Sequence, residues 1–270
     1  MTWGVTDLTV TYGAVTALRS VTVSVHPGSI VAVVGGDGAG KTTLLRALAG
    51  AVRPASGSVN GPTLSHLGFM PTTAGVWREL TVDQNIDFVG ASQGVSGVVL
   101  AARREELLEA AGLAAARDRA AGALSGGMRQ KLAFSLAMLH RPPLLILDEP
   151  STGVDPVSRV DLWRLISTAA AQGAAVIMAT TYLDEAERAS RVVVLDAGEV
   201  LLAGTPAEVL ENMPGHVSVV PAPSDRKRAW RRGRTWREWS PADPPAGTPR
   251  VADLEDAVVG AALAKAAVHA

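Results

Sequence analysis

The stretch that most constrains this chain is Ser29 to Leu45, SIVAVVGGDGAGKTTLL. Its opening run, Ile30-Val31-Ala32-Val33-Val34, is short, β-branched and bounded by glycine, the pattern of a strand buried in a parallel sheet. The run breaks at Gly35, and a helical pattern resumes by Thr42. Between them lies G-x-x-x-x-G-K-T, with its defining positions at Gly35, Gly40, Lys41 and Thr42. Glycines are needed there because only a backbone with few Cβ atoms wraps around phosphates and points successive N–H groups at them. The helix that follows aims its positive end at the same anion. Lys41 adds a point charge for the β- and γ-phosphates, and the Thr42 hydroxyl is a candidate Mg2+ ligand. An ordinary Gly-rich βα turn has the glycines without the full set of these positions.

Around that stretch the chain has 270 residues, room for one large domain and a small appendage. Its net charge of −1 supplies no global field to gather nucleic acid or acidic membranes. With no cysteine there is no disulfide or thiol chemistry, which suits a cytosolic setting. The five histidines, at 26, 66, 140, 216 and 269, are scattered and form no metal-binding pattern. No apolar run approaches the roughly 18 residues a bilayer span requires, and MTWGVTDLTVTYG lacks the features of a signal peptide. Work at a membrane would therefore be peripheral.

Taken in order, residues 3–34 alternate apolar and small polar residues (Val5, Leu8, Val10, then Leu18, Val21, Val23, Val25), which predicts antiparallel strands with Tyr12 at the turn between two of them. Leu44, Leu45 and Leu48 mark a helical face that Gly50 stops. Short strands are expected at Ser58-Val59 and from Leu64 to Pro71, then a loop running into a helix. From 98 to 140 Ala, Leu, Arg and Glu dominate, and Leu100, Leu107, Leu108 and Ala111 share one face, as in a helical insert. Asp155 is placed to cap a helix with Pro156 in its first position. Ala174–Thr180 reads as a buried strand, Arg191–Leu202 as a hairpin, and Thr205-Pro206-Ala207-Glu208 as a capping box. After about residue 213 prolines and arginines cluster. The expected division is a core over 1–212 and an appendage over 213–270, ending in a helix from about Pro249.

Two further stretches carry chemistry. Leu144-Leu145-Ile146-Leu147-Asp148-Glu149 is an apolar strand closed by two carboxylates, expected beside the phosphate-loop strand. There Asp148 would orient Mg2+ and Glu149 would polarise an attacking water. Ser125-Gly126-Gly127 opens a helix with a free hydroxyl and bare N–H groups, a second anion-receptive end. The helical insert carries this end away from the first. It therefore suits a nucleotide held by a facing subunit.

Together these stretches resemble the ATP-binding subunits of ABC transporters over about residues 1–212. GGDGAGKTT resembles that family's Walker A motif, LSGGMRQK its signature, LLILDEP its Walker B and STGVD its D-loop. The resemblance implies an α/β P-loop NTPase with a RecA-like core, an antiparallel β subdomain, a helical subdomain over about 82–140 and a small C-terminal appendage. It implies ATP and Mg2+, with nucleotide contacts at Gly35, Gly36, Asp37, Gly38, Ala39, Gly40, Lys41, Thr42 and Thr43. Adenine would stack on Tyr12, the metal would sit on Thr42 and Asp148, and Glu149 would be the base. Ser125, Gly126, Gly127 and Asp155 would face a second ATP-binding domain across an ATP sandwich. A membrane-spanning permease would hold the assembly at the cytoplasmic face of the cell membrane. The segment Ala252–Val258 resembles the LEDVF-type ending of drug-export (ABC-2 class) subunits; with GDGAGKTT and TTYLDEAE, the match is to the first half of tandem-duplicated members.

Departures from the family pattern touch the chemistry. Thr72 stands where the family has Gln, and Thr181 where it has His before YLDEA; Thr181-x-x-Asp184 is read as a helix cap that keeps the structure while losing an imidazole near the γ-phosphate. Asp37 places a carboxylate in the phosphate loop, tolerable if it points outward. The expected consequence is a slow site on this chain and a different, more active partner domain. An alternative class is a soluble ABC-type ATPase acting on nucleic acid or ribosomes. The 84 positions from Lys41 to Ser125 leave no room for a long coiled coil, and only one such domain is present. The basic, Trp-containing DRKRAWRRGRTWREWS is read as a small β-rich appendage with solvated arginines and a Trp core, so no nucleic acid is expected.

Overall fold

The computed structural model describes residues 2–242 and 252–268. Its centre is a six-stranded sheet in the order β5-β6-β7-β3-β8-β9. These strands are β3 (Ile30–Val34), β5 (Leu67–Met70), β6 (Leu144–Asp148), β7 (Ala175–Ala179), β8 (Arg191–Asp196) and β9 (Glu199–Gly204). All neighbours are parallel except the β8–β9 hairpin. Both faces are covered, which explains the unbroken aliphatic runs. Ile30, Ala32 and Val34 pack into one core, and Val31 and Val33 into the other. The second core lies under α1 (Lys41–Leu48) and the antiparallel sheet of β1 (Trp3–Tyr12), β2 (Val15–Val25) and β4 (Ser56–Asn60), ordered β2-β1-β4.

The first core holds the helical region, α2 (Val82–Ser92), α3 (Gly97–Ala111) and α4 (Gly126–Ala137), together with α5 (Pro156–Ala171). All but α3 start on a side-chain cap that the sequence supplies. Thr81 and Gln84 form a capping box for α2, and the Asp155 carboxylate accepts from the Val157 and Ser158 N–H groups at α5, with Pro156 behind it. Then come α6 (Leu183–Ala186) and α7 (Pro206–Glu211), the latter opened by the Thr205–Glu208 capping box. A second three-stranded sheet, β10 (His216–Val220), β12 (Thr235–Ser240) and β11 (Ala229–Arg232), precedes α8 (Leu254–Val268). Leu254 and Ala257 of α8 are buried in the first core, which ties the C-terminal end to the sheet.

Several local expectations need correction. β6 is not beside β3: β7 lies between them, because a strand order is set by crossovers that local pattern does not encode. The strand expected from Leu64 starts at Leu67, after a 3-10 turn over Leu64–His66 closed by the His66 N–H on the Thr63 carbonyl. Pro249, the expected start of the last helix, lies outside the described residues, and α8 begins at Leu254. Of the three tryptophans in the basic stretch only Trp239 is fully buried; Trp230 and Trp236 are half-buried. Nor are its arginines uniformly solvated. Arg232 binds Asp253, Arg237 faces buried Asp256, and Arg226, Arg231 and Arg234 are exposed.

Candidate functional site

The C-terminal end of β3 leads into a cleft of about 310 Å3, lined by Ala17, Gly36, Asp37, Gly38, Ala39, Gly40, Lys41, Thr42, Thr43, Thr72 and Glu149. Two glycines are forced here. A Cβ on Gly35 would stand 2.2 Å from the Leu195 carbonyl oxygen. Gly40, at φ 104°, caps α1 in a left-handed conformation, and its Cβ would meet the Ala17 carbonyl oxygen at 2.8 Å. Gly40 has no side chain to bond the first N–H groups of α1, and no acid occupies that turn, so the positive helix end is bare toward the cleft. Asp37 is exposed.

Lys41 is only 8% exposed. Its ammonium donates to the Gly35 carbonyl at 2.8 Å and to the Gly36 carbonyl at 3.3 Å, and lies 3.7 Å from Glu149 Oε1. Asp148, 2% exposed at the end of β6, accepts from the Thr42 hydroxyl at 3.1 Å and from the Thr72 hydroxyl at 2.9 Å. Although β6 is two strands from β3, Asp148 still reaches α1, because both strands end on the same edge of the sheet. A buried carboxylate flanked by two hydroxyls is a hard oxygen set, matching a cation that keeps most of its shell from phosphate and water. Among the described residues no group of three or more His, Asp or Glu offers an all-protein metal site.

Glu149 follows with φ 53°, a left-handed conformation that costs a non-glycine residue about 1–3 kcal/mol. Its N–H is held on the Ala179 carbonyl at 3.0 Å, and its side chain closes the cleft. Glu149 Oε2 accepts from the Thr152 hydroxyl at 3.3 Å, the Thr181 N–H at 3.3 Å and the Thr181 hydroxyl at 3.4 Å. Thr181 is thus not the helix cap it resembles. α6 starts after Tyr182 without a side-chain cap, and the neighbouring Thr180 competes successfully, accepting from the Tyr182 N–H and donating to buried Glu185. Arg159 of α5 clamps this segment, chelating Asp184 at 2.8 Å and lying 3.9 Å over the Tyr182 ring.

The other candidates lie outside the cleft. Tyr12 ends β1 opposite Val15, 48% exposed, and is not among the cleft-lining residues. The Ser125 hydroxyl is not free: it accepts from the Met128 N–H at 3.2 Å, the standard N-cap of α4. Gly126 and Gly127 pack against Gly153 and Ser158, where Cβ atoms would fall 3.0 Å and 2.4 Å away. The signature stretch therefore sits beside the STGVD turn. Bonds from Ser158 and Val157 hold the Asp155 carboxyl below the usual carboxylate range. Residues the sequence reading passed over are Thr152, Arg159 and Ala17. Thr152 lies in a stretch already singled out, whereas an alanine on a strand carries no signal.

A glycine loop joining a buried parallel strand to a bare helix end, with a lysine inside it and an Asp-Glu pair across the cleft, defines a P-loop NTPase. The comparisons narrow the class. The ABC transporter family model matches residues 18–152. The chain is 37% identical over 215 residues to "Probable multidrug ABC transporter ATP-binding protein YbhF" of Escherichia coli (strain K12), covering 76% of this chain and 37% of that one. It is 33% identical over 215 residues to "Nod factor export ATP-binding protein I" of Cupriavidus metallidurans, covering 76% and 71%. A solved "ATP binding subunit of ABC transporter" superposes with TM-score 0.71 at 30% identity, covering 78% and 92%. This chain belongs to the ABC transporter family, as an ATP-binding cassette. It spans little more than a third of the length of the YbhF protein.

Proposed function

We infer that this cassette powers export through a separate membrane-spanning subunit, from the cytoplasmic face of the membrane, in a pair with a second and different ATP-binding domain. The observation that carries the reading is that two anion-receptive helix ends on one chain do not converge. The bare end of α1 opens into the cleft, while Ser125, Gly126 and Gly127 at the head of α4 line no part of it. A facing domain would let each end serve one ATP. In that arrangement ATP lies along Gly35–Thr43 with Mg2+ on Thr42 and Asp148, adenine lies against Tyr12, Glu149 polarises water, and Asp155 with the signature meets the partner. The names of the relatives support export, but their cargoes differ, so cargo choice is assigned to the membrane subunit. Residues 1–212 form the ATP-binding unit and 213–270 an appendage docked through α8.

The test of the pairing is Ser125→Arg. ATP binding to the isolated chain should stay within about twofold of wild type, while ATP-driven association with the facing domain, followed by sedimentation, is lost. A fall in isolated-chain affinity as steep as that of a Lys41 variant would place the signature in its own cleft and end the sandwich reading.

No helix among the described residues is long and apolar enough to cross a membrane, so the reading requires a contact surface for the membrane subunit. An apolar recess of about 470 Å3 between β5, α1, α2 and α4 is suited to it. Leu64 is 72% exposed at its edge, and Trp77 and Phe88, 42% and 49% exposed, pack nearby with tilted rings whose centroids are 4.3 Å apart. Phe88→Asp should leave ATP binding to the isolated chain unchanged and abolish co-purification with the membrane subunit. Retention of the complex would move the contact elsewhere.

A further inference from the structure

The C-terminal helix reaches the phosphate loop through a single turn. On α8, the Lys265 ammonium donates to the Asp196 carbonyl at 2.9 Å and lies 3.2 Å from the Asp196 carboxylate and 3.0 Å from Glu199 Oε2. The other oxygen of Glu199 holds Arg19 of β2 at 2.7 Å. These contacts bracket the β8–β9 turn, Asp196-Ala197-Gly198-Glu199. Burial alone would lower the Lys265 pKa, but its bonds to Glu199 and Asp196 more than offset that and hold it above the ordinary lysine value. The same bond from Lys265, then that from Arg19, keeps the Glu199 carboxyl below the usual carboxylate range. Both shifts favour the charged forms of Lys265 and Glu199.

Inside the turn, Gly198 bonds both the phosphate loop and β2. Its N–H donates to the Ala39 carbonyl of the phosphate loop at 3.0 Å, and its carbonyl accepts from the Arg19 N–H at 2.8 Å. A Cβ on Gly198 would stand 2.6 Å from the Ala17 carbonyl oxygen, and one on Gly40 2.8 Å from that same oxygen. Turn, β2 and phosphate loop thus meet backbone to backbone at Ala17, with the buried Leu18 side chain also packed against Gly40, so a shift of the turn is passed on to the loop. Ala17 and Ala39 are both walls of the cleft.

We propose that Lys265 is a positioning residue for nucleotide binding: α8, acting through the β8–β9 turn, holds the phosphate loop and the Ala17 wall in the ATP-receptive geometry. This rests on the reading of the cleft as the ATP site. The function of the C-terminal segment is then to tune the affinity of a site it does not touch, and anything that lifts α8 weakens ATP binding.

The experiment uses the purified full chain and titrates it with ATP by calorimetry. Lys265→Met keeps a good helix former and removes the charge. It should raise the Kd for ATP about three- to tenfold, the scale of couplings carried through packed networks, with thermal unfolding unchanged. Lys265→Arg should recover most of the loss. In the assembled ATPase, KM should rise in Lys265→Met while kcat stays within about twofold. Gly198→Ala tests the turn without touching α8, and its Kd should rise further. A Lys265→Met Kd within 1.5-fold of wild type overturns the proposal, as does a loss that Lys265→Arg does not recover or a Gly198→Ala chain that binds normally. Lys41→Ala is run alongside: if it binds ATP normally, the reading of the cleft fails, whereas its loss beside a silent Lys265→Met sinks only the role of α8.

Discussion

Lys41→Ala should abolish detectable ATP binding, a loss of more than about 100-fold. Lys41 is the only cation among the residues lining the cleft, which otherwise carries the carboxylates of Asp37 and Glu149. Its ammonium lies on the Gly35 and Gly36 carbonyls of the loop itself. Hydrogen bonds to charged groups contribute about 1.5–3 kcal/mol each, and Lys41 offers three donors to a polyanion. Removing it also turns a cleft with mixed charge into one that repels the ligand. Calorimetry with ATP and with ADP measures the effect, and thermal unfolding checks that the chain remains folded. An affinity within threefold of wild type would remove Lys41, and with it the assignment of the loop, from the nucleotide site.

The parts of this site legible in the sequence are those whose geometry is local. Strand, glycine loop and helix over Ser29–Leu45 are contiguous, so spacing alone groups Gly40, Lys41 and Thr42, which line one cleft, with Gly35 next to them in the chain. The Asp155-Pro156 cap and the Thr205–Glu208 box are equally local and appear as expected. What spacing could not supply is anything set by crossovers. The insertion of β7 between β3 and β6 is one case, and Ala17 as a wall of the cleft is another. Thr181 shows a subtler limit. Two threonines stand side by side before α6, and pattern reading chose the one with Asp184 three positions on. The backbone gave the turn to Thr180 because its side chain is buried beside Glu185, leaving Thr181 to face Glu149. The tie between Lys265 and the phosphate loop spans most of the chain and has no sequence signal at all.

Restoring Thr181→His and Thr72→Gln together should raise ATP turnover at this chain's own cleft by at least about tenfold. Hydrolysis requires an oriented water, a base, and donors aimed at charge spreading over the γ-phosphoryl oxygens. Loss of one such donor typically costs about 10²–10³ in rate. In the structure both polar groups of Thr181, hydroxyl and N–H, are directed at Glu149 Oε2, so neither is aimed into the cleft. The Thr72 hydroxyl is likewise committed to Asp148 Oδ2. ATP affinity should change by less than about threefold, because the loop, Lys41 and Thr42 are untouched. The assay is the assembled complex, with Glu149→Gln on this chain compared with the matching change in the facing domain. If the site is slow, Glu149→Gln here costs little of the total turnover and the change in the partner nearly all of it. Equal losses from the two changes would mean both sites run at similar rates. A double variant no faster than wild type would show that the two threonines are not what limits this cleft, and the proposed asymmetry would lose its physical basis.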